Sequence, residues 1–240
     1  YDKTKTLIID PWVSMLTFPN GNPLFAAYDK IGCDVAYDNN GNVWVYGGGD
    51  PMYVAKYNSA GALQWTFTVP MDVADLIGDI EVNKISGSAY ICEGYKWFGA
   101  RIVKIDAGGN LIATSAINAN IYEISRLRLT CSGKLYFTGG GVPDNMWQAG
   151  SVDTTLQTIT GAHILATPKG DHDLNLMALD PTEKFMYMNF NYPAPGSPNF
   201  TNDNEMRKIP LPAFTPSTWI NPGPIYNFTE LGSIEYCGPT

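Results

Sequence analysis

The chain has 240 residues, of which 45% are hydrophobic and only 16% are charged, and its formal net charge at pH 7 is −8. This acidity, with the 15 lysines and arginines scattered along the chain, excludes a basic nucleic-acid-binding face. No apolar run reaches the ~18 residues of a membrane-spanning helix, and the 24 glycines and 14 tyrosines are typical of a turn-rich all-β chain.

The first 30 residues contain two short predicted strands, at residues 6–9 and 23–26, which resemble the outer strands of a sheet. The chain begins with Tyr1 rather than Met, and no apolar signal segment follows. We therefore expect it to be a piece of a longer protein that has further domains.

A complete four-stranded unit is predicted between residues 31 and 76. Two strands flank a turn at residues 39–41, and two more flank a turn at residues 58–61. Each strand broadly alternates apolar and polar residues, as half-buried strands do, and the turns carry the Asn and Gly that a positive φ requires.

The same unit recurs along the chain, over residues 77–123, 124–170 and 171–230. One aromatic position of the second strands repeats every 46 residues, at Trp44, Tyr90 and Tyr136, and is predicted to pack in the core. One position of the first strands repeats after 45, 47 and 47 residues, at Val35, Ile80, Leu127 and Leu174. Glycine triplets at residues 47–49 and 139–141 are predicted to end the second strands.

The repeat predicts the architecture. A single four-stranded sheet has two apolar faces, and stacking sheets around an axis covers both. The fold class is therefore all-β, a β-propeller of four-stranded antiparallel blades.

Residues 231–240 contain a further predicted inner strand, at residues 232–236. With residues 1–30 it makes three candidate strands of a partial fifth blade, where a complete blade needs four. Either this blade closes the ring or the chain is truncated, and truncation is favoured. The prediction is one propeller domain or propeller fragment over residues 1–240, with about five blades.

The fourth unit contains two long segments rich in proline, asparagine and aromatic residues, at residues 190–206 and 210–224. Long loops on a rigid scaffold often bind ligands. The candidate binding residues are Trp97, Trp147, Tyr192, Phe200 and Trp219.

Residues 34–48, followed by 54–65, resemble the SBBP-type propeller repeat, which has an Asp–Gly–Asn hairpin, a glycine stop and a Lys-led strand ending in Gly-x-Leu-x-Trp. The second and third units match it partly and the fourth poorly. The whole chain is also similar to the propeller region of large type IX-secreted, gliding-motility-associated surface proteins of bacteria. This resemblance implies an extracellular or cell-surface module with a role in adhesion, and it brings no catalytic residues.

Carboxylates near the starts of the first strands are the only candidates for catalysis. Asp34, Asp79, Asp171 and Asp173 would lie near the central funnel, where paired carboxylates can cleave glycosides. Asp79 also belongs to an acidic cluster with Asp72, Asp75 and Glu81, for which a solvated acidic turn is the favoured interpretation.

No metal or cofactor is predicted. The two histidines are His163 and His172, and His172 points away from its neighbours Asp171 and Asp173 if the three lie on a strand. Residues 38–42 resemble a calcium loop but lack its final Glu, so a plain turn is favoured. The four cysteines, which fit no zinc motif, are either buried or paired in disulfides: Cys33, Cys92, Cys131 and Cys237.

Two functions follow from these observations. The favoured one is a non-enzymatic extracellular propeller module that mediates adhesion or binds a protein or glycan partner. The alternative is a propeller-fold glycoside hydrolase or lyase with its carboxylates at the funnel.

Overall fold

A computed structural model describes residues 32–47, 53–68, 78–92, 94–95, 100–116, 121, 123–141, 146–166, 177–180, 182–192, 203–214 and 218–220. The regular structure in these ranges is β-strand, arranged in four four-stranded sheets and one two-stranded sheet. The predicted fold class, all-β with four-stranded antiparallel blades, is confirmed. Within the same ranges no helix is long and apolar enough to cross a membrane. The predicted partial fifth blade lies outside the described residues.

Each blade is an antiparallel meander whose four strands lie in the sheet in the order in which they follow one another along the chain. The first blade contains β1 (Gly32–Tyr37), β2 (Val43–Gly47), β3 (Tyr53–Tyr57) and β4 (Leu63–Thr68). The second contains β5 (Asp79–Val82), β6 (Ala89–Cys92), β8 (Ile102–Ile105) and β9 (Leu111–Thr114), and β7 (Gly94–Tyr95) pairs with β10 (Glu123–Ile124). The third contains β11 (Arg126–Leu129), β12 (Leu135–Gly141), β13 (Met146–Val152) and β14 (Ile159–Ala166). The fourth contains β15 (Met177–Leu179), β16 (Phe185–Tyr192), β17 (Asp203–Pro210) and β18 (Thr218–Ile220).

Side-chain acceptors at the first turn residue close the hairpins. Asp38 Oδ1 accepts hydrogen bonds from the backbone N–H of Asn40 at 2.9 Å and of Asn42 at 3.1 Å, and Gly41 between them has a φ of 74°. The segment that resembles a calcium loop therefore forms a hairpin turn stabilised by its own side chain. Equivalent acceptors begin other turns, at Asn58, Asp106, Asp153 and Asp180.

The apolar core lies between the blades. Trp44 packs with Ile80 of the second blade, Tyr90 packs with Leu127 of the third, and Tyr136 packs in the cluster that the third and fourth blades form. All three aromatic side chains are buried. The prediction that this aromatic position fills equivalent slots between blades is confirmed.

The predicted register of the fourth blade is wrong by three residues. Tyr187 pairs with Lys208 as Trp44 pairs with Lys56, so Tyr187 is the fourth member of the aromatic series.

This pairing fixes the first strand of the fourth blade. Met188, which follows Tyr187, pairs with Met177, just as Phe137, which follows Tyr136, pairs with Leu127. Met177 is therefore the equivalent of Leu127, whereas the sequence pattern had assigned Leu174 to this position. Residues 174–176 and 177–179 each alternate apolar and small or polar side chains, so alternation alone could not distinguish the two registers.

Two predicted strand ends also differ from the structure. Residues 139–141 do not stop the strand before them: they are the last three residues of β12 and pair with residues 146–148 of β13. The sequence also predicts the last strand of the third blade over residues 156–159, but β14 begins only at Ile159, because Leu156 lies in the preceding turn with a φ of 63°.

The predicted loops of the fourth blade are shorter than the sequence indicated. β16 extends to Tyr192 and β17 begins at Asp203, so residues at both ends of the segment 190–206 form sheet pairs. Strand β18 lies within the segment 210–224 and pairs with β17.

Candidate functional site

Two predicted funnel carboxylates, Asp34 and Asp79, lie at the same position of neighbouring first strands. Asp34 Oδ2 accepts a hydrogen bond from the backbone N–H of Ile80 in the second blade, at 3.1 Å. Asp79 Oδ2 accepts one from the N–H of Leu127 in the third blade, at 2.7 Å. The same type of hydrogen bond thus occurs at two successive interfaces, and in each case the carboxyl group joins its own blade to the next.

The two carboxyl groups also interact with each other. The pKa of Asp34 is raised to about 8; burial is the largest cause, and a hydrogen bond to Asp79 and the charge of Asp79 act in the same direction. At neutral pH Asp34 therefore carries a proton, which it donates towards Asp79.

Asp79 is almost fully buried and is paired with an arginine of the third blade. Arg128 Nη1 lies 3.2 Å from Asp79 Oδ2, and the same nitrogen donates to the carbonyl oxygen of Leu127 at 2.6 Å. A buried carboxylate requires such partners, because leaving a charge unpaired in the interior is costly.

Glu81 repeats this arrangement two residues along β5. Its Oε1 accepts a hydrogen bond from the N–H of Leu129 at 3.2 Å, and its side chain is buried. Asp79 and Glu81 are thus buried strand residues, and the interpretation of them as a solvated acidic turn is wrong. The other two members of that cluster, Asp72 and Asp75, lie outside the described residues.

The role of Arg128 was not predicted from the sequence. The signal was present, because residues 126–129 (RLRL) carry arginines at the two positions where residues 79–82 (DIEV) carry carboxylates. Opposite charges at matching positions of consecutive blades predict contacts across the interface once the register is known.

The residues of the repeat motif form a second set of contacts between blades. Lys56 Nζ donates to the carbonyl oxygen of Ala107 in the second blade at 2.9 Å, and Trp65 Nε1 donates to the same oxygen at 3.2 Å. Lys104 makes the equivalent contact one blade further on, with the carbonyl oxygen of Thr154 at 2.8 Å. The motif lysine and tryptophan therefore dock blades together.

The remaining candidates fall partly or wholly outside the described residues. Those wholly outside are Trp97, Phe200, Asp171, Asp173 and His172. Four others lie in described strands, but their side chains lie outside the described part: Trp147 in β13, His163 in β14, Tyr192 in β16 and Trp219 in β18. Of the predicted site residues, the described structure brings together Asp34 and Asp79.

The described residues hold no group of three or more His, Cys, Asp or Glu side chains that could bind a metal ion. Of the two cysteines with described side chains, Cys92 is buried and Cys131 is exposed. Cys92 belongs to the core, where its Sγ accepts a hydrogen bond from the N–H of Asp79 at 3.2 Å. Cys33 and Cys237 lie outside the described side chains.

The sequence matches no protein-family model and no curated protein. Solved structures do share its fold. Hydrazine synthase from Kuenenia stuttgartiensis is 13% identical with a TM-score of 0.61, over 75% of this chain and 51% of that chain. A protein of unknown function from Bacteroides caccae is 9% identical with a TM-score of 0.50, over 80% of this chain and 61% of that one. The polysaccharide lyase Uly1 is more distant, with 10% identity and a TM-score of 0.46 over 85% of this chain and 56% of that chain.

At these identities the similarity shows the fold alone, and the likeness to the lyase is too weak to support an activity. The chain spans between 51% and 61% of the length of these three structures. The four-stranded blades and the similarity to these solved structures together show an all-β protein of propeller-like architecture.

Proposed function

We propose that this chain is a non-enzymatic β-propeller module of a secreted bacterial surface protein, where it binds a protein or glycan partner in adhesion. One observation carries the proposal: the described carboxylates that could have formed a catalytic funnel are used to join blades. Asp34 accepts from Ile80, and Asp79 accepts from Leu127 and Arg128. Groups held in this way stabilise a rigid scaffold, on which loops can bind a partner.

The motif residues support a scaffold in the same way. Lys56 and Trp65, which carry the resemblance to the SBBP-type repeat, both bind the backbone of the next blade. Because the distinctive residues of the repeat hold neighbouring blades together, we expect the loops to determine which ligand is bound. The likeness of the sequence to type IX-secreted, gliding-motility-associated proteins supports an extracellular location at the cell surface.

The proposed binding residues are the five aromatic residues that the sequence indicates, Trp97, Trp147, Tyr192, Phe200 and Trp219, because aromatic rings provide large contact areas at little cost in conformational entropy. We expect the chain to bind glycans or a surface protein, and the triple variant Trp97→Ala, Trp147→Ala, Trp219→Ala to bind about tenfold more weakly or worse. A glycan array followed by titration calorimetry measures this.

The matched control is a triple variant of exposed apolar residues on the outer strands: Leu63→Ala, Leu111→Ala and Ile112→Ala. It should bind like the wild type. Binding that survives the tryptophan triple variant would show that the aromatic residues are not the binding surface.

One observation favours the enzymatic alternative. The pKa of Asp34 is raised to about 8 beside Asp79, and a carboxyl group that holds its proton near neutral pH can act as the general acid in glycoside cleavage. Release of reducing or unsaturated sugar ends by the wild type, lost in Asp34→Asn but kept in the turn variant Asp106→Asn, would replace the proposed function with a hydrolase or lyase.

A further inference from the structure

The first blade has an open position on its innermost strand. Val35 is 60% exposed, although Ile80 and Leu127, at the same position of the second and third blades, are 2% and 0% exposed. Tyr37 is 50% exposed, against 3% for Val82. In the other blades this face is covered by the preceding blade, so Val35 and Tyr37 mark where a preceding inner strand is missing from the described structure.

The opening is narrow. Ala55 and Tyr57 lie on the same face of β3, and both are buried, yet neither belongs to the apolar clusters that the described blades form with each other. Val43 and Val45, on the same face of β2, are half-buried, so exposure on this face decreases from β1 through β2 to β3 and the opening is centred on β1.

The fourth blade has a complementary opening on its opposite face. Tyr187 is only half-buried, whereas Trp44 and Tyr90 at the same position are buried. The ammonium of Lys208 lies 3.7 Å from the ring centroid of Phe185, whereas the equivalent Lys56 binds a carbonyl of the next blade. Further strands placed between the fourth and first blades would cover both faces.

We propose that residues 232–236 form the inner strand of this closing blade and pack against Val35 and Tyr37. Their sequence, GSIEY, matches the inner strand of the second blade, GDIEV at residues 78–82. Ile234 then takes the place of Ile80, and Glu235 that of Glu81.

The hydrogen bonds of the other interfaces specify how this strand fits. Glu81 accepts from the N–H of Leu129, so Glu235 would accept from the N–H of Tyr37, the equivalent residue of the first blade. The N–H of Val35 donates to its own Asp34 Oδ1 at 2.8 Å, at the place where Leu127 donates to the preceding blade. The hydroxyl of Ser233, at the position of Asp79, is the matching acceptor from the closing strand.

Thiol labelling of the full 240-residue chain, resolved by peptide mass spectrometry, tests this contact. A cysteine introduced by Val35→Cys should react roughly tenfold more slowly than one introduced by Ile85→Cys, because a covered side chain reacts only when its strand opens. Ile85 is 89% exposed, and the exposed native Cys131 gives an internal reference rate. The variant Glu235→Lys should restore fast labelling at position 35, and Glu230→Lys, outside the strand, should not.

Each outcome decides the proposal. Equal labelling rates at positions 35 and 85 in the full chain would overturn it, because the position would then be open. The proposal would also be overturned if labelling at position 35 stayed slow in Glu235→Lys but became faster when the protein was diluted. A second copy of the chain would then be what covers Val35. The comparison uses full-length variants, so it does not depend on a truncated chain folding, and it is independent of what the loops bind.

Discussion

At the scale of single residues, Asp34 combines two demands. Its oxygen atoms accept hydrogen bonds from the N–H groups of Val35 and Ile80, which favours a carboxylate. Burial and the neighbouring Asp79 oppose the negative charge and outweigh those bonds, so the pKa rises to about 8. The protonated form fits better, because it accepts from the backbone while donating to Asp79. Asp34 thus acts as a neutral connector between two blades.

This environment predicts how stability depends on pH. The pKa of Asp34 is about 8 in the folded chain against an ordinary value of 3.8, so between these pH values the folded state binds more protons than the unfolded state. The free energy of unfolding therefore falls as pH rises through this window, and the stabilisation is complete only below it. The variant Asp34→Asn, which keeps an acceptor for Ile80, should be more stable than the wild type at about pH 8 by about 1–3 kcal/mol, with little change near pH 4.

Urea denaturation across this range measures the effect, and Asp106→Asn gives a control of opposite sign. Hydrogen bonds from the side chain and backbone of Asn110 lower the pKa of Asp106. Its stabilisation is therefore present above its ordinary pKa and lost on acidification. If Asp34→Asn kept the wild-type slope between pH 4 and 8, Asp34 would not be the titrating group.

At the scale of elements, the third strands of the first and second blades each contribute to docking through one lysine, Lys56 and Lys104. The ammonium of Lys56 lies 4.7 Å from the ring centroid of Trp44 and binds the carbonyl oxygen of Ala107. Trp65 packs edge-on against Trp44, with ring centroids 5.0 Å apart, and covers the turn at Gly109. A Cβ on Gly109 would lie 2.8 Å from Trp65, and its φ is 85°, so this turn requires glycine.

These contacts predict that Lys56→Met will destabilise the chain by about 1–3 kcal/mol, because methionine keeps the apolar stem but leaves the carbonyl of Ala107 without its charged donor. Chemical denaturation of the purified variant measures the loss. Lys134→Met, at an exposed turn position, is the control and should change stability by less than about 0.5 kcal/mol. Equal effects of both substitutions would show that the ammonium of Lys56 contributes nothing to docking.

The elements also show which local features a sequence reveals. Blades one to three were predictable, because their turns carry Asn, Asp and Gly and their strands share one aromatic register. The first strand of the fourth blade was misplaced, because residues 174–176 and 177–179 alternate equally well and only pairing with Met188 distinguishes them. The role of the glycines at 139–141 was mistaken for the same reason, since it depends on partners in β13 that lie later in the chain.

At the scale of the whole molecule, burial explains why the fold was predictable and the candidate site only in part. A four-stranded sheet with two apolar faces requires neighbours on both sides, and that requirement repeats with every blade. Asp34 and Asp79 were identifiable from the sequence by their position on the first strands. Arg128, 49 positions from Asp79, is identifiable as its partner only when the charges of residues 79–82 and 126–129 are compared in the register of the blades.

The stacking of blades also predicts how the molecule unfolds. Phe137 is fully buried in the cluster shared by the second and third blades, where it packs with residues that include Tyr90 and Ile102. Phe137→Ala should lower the free energy of unfolding by about 3–5 kcal/mol, because it leaves a cavity at an interface. Since each blade depends on its neighbours, hydrogen exchange should accelerate in β6 and β8 of the second blade as well as in β12. Hydrogen exchange with mass spectrometry tests this, with the exposed-site variant Ile85→Ala as the control. Faster exchange confined to the third blade would show that the blades unfold independently, and the scaffold would then be a string of separate sheets rather than one cooperative unit.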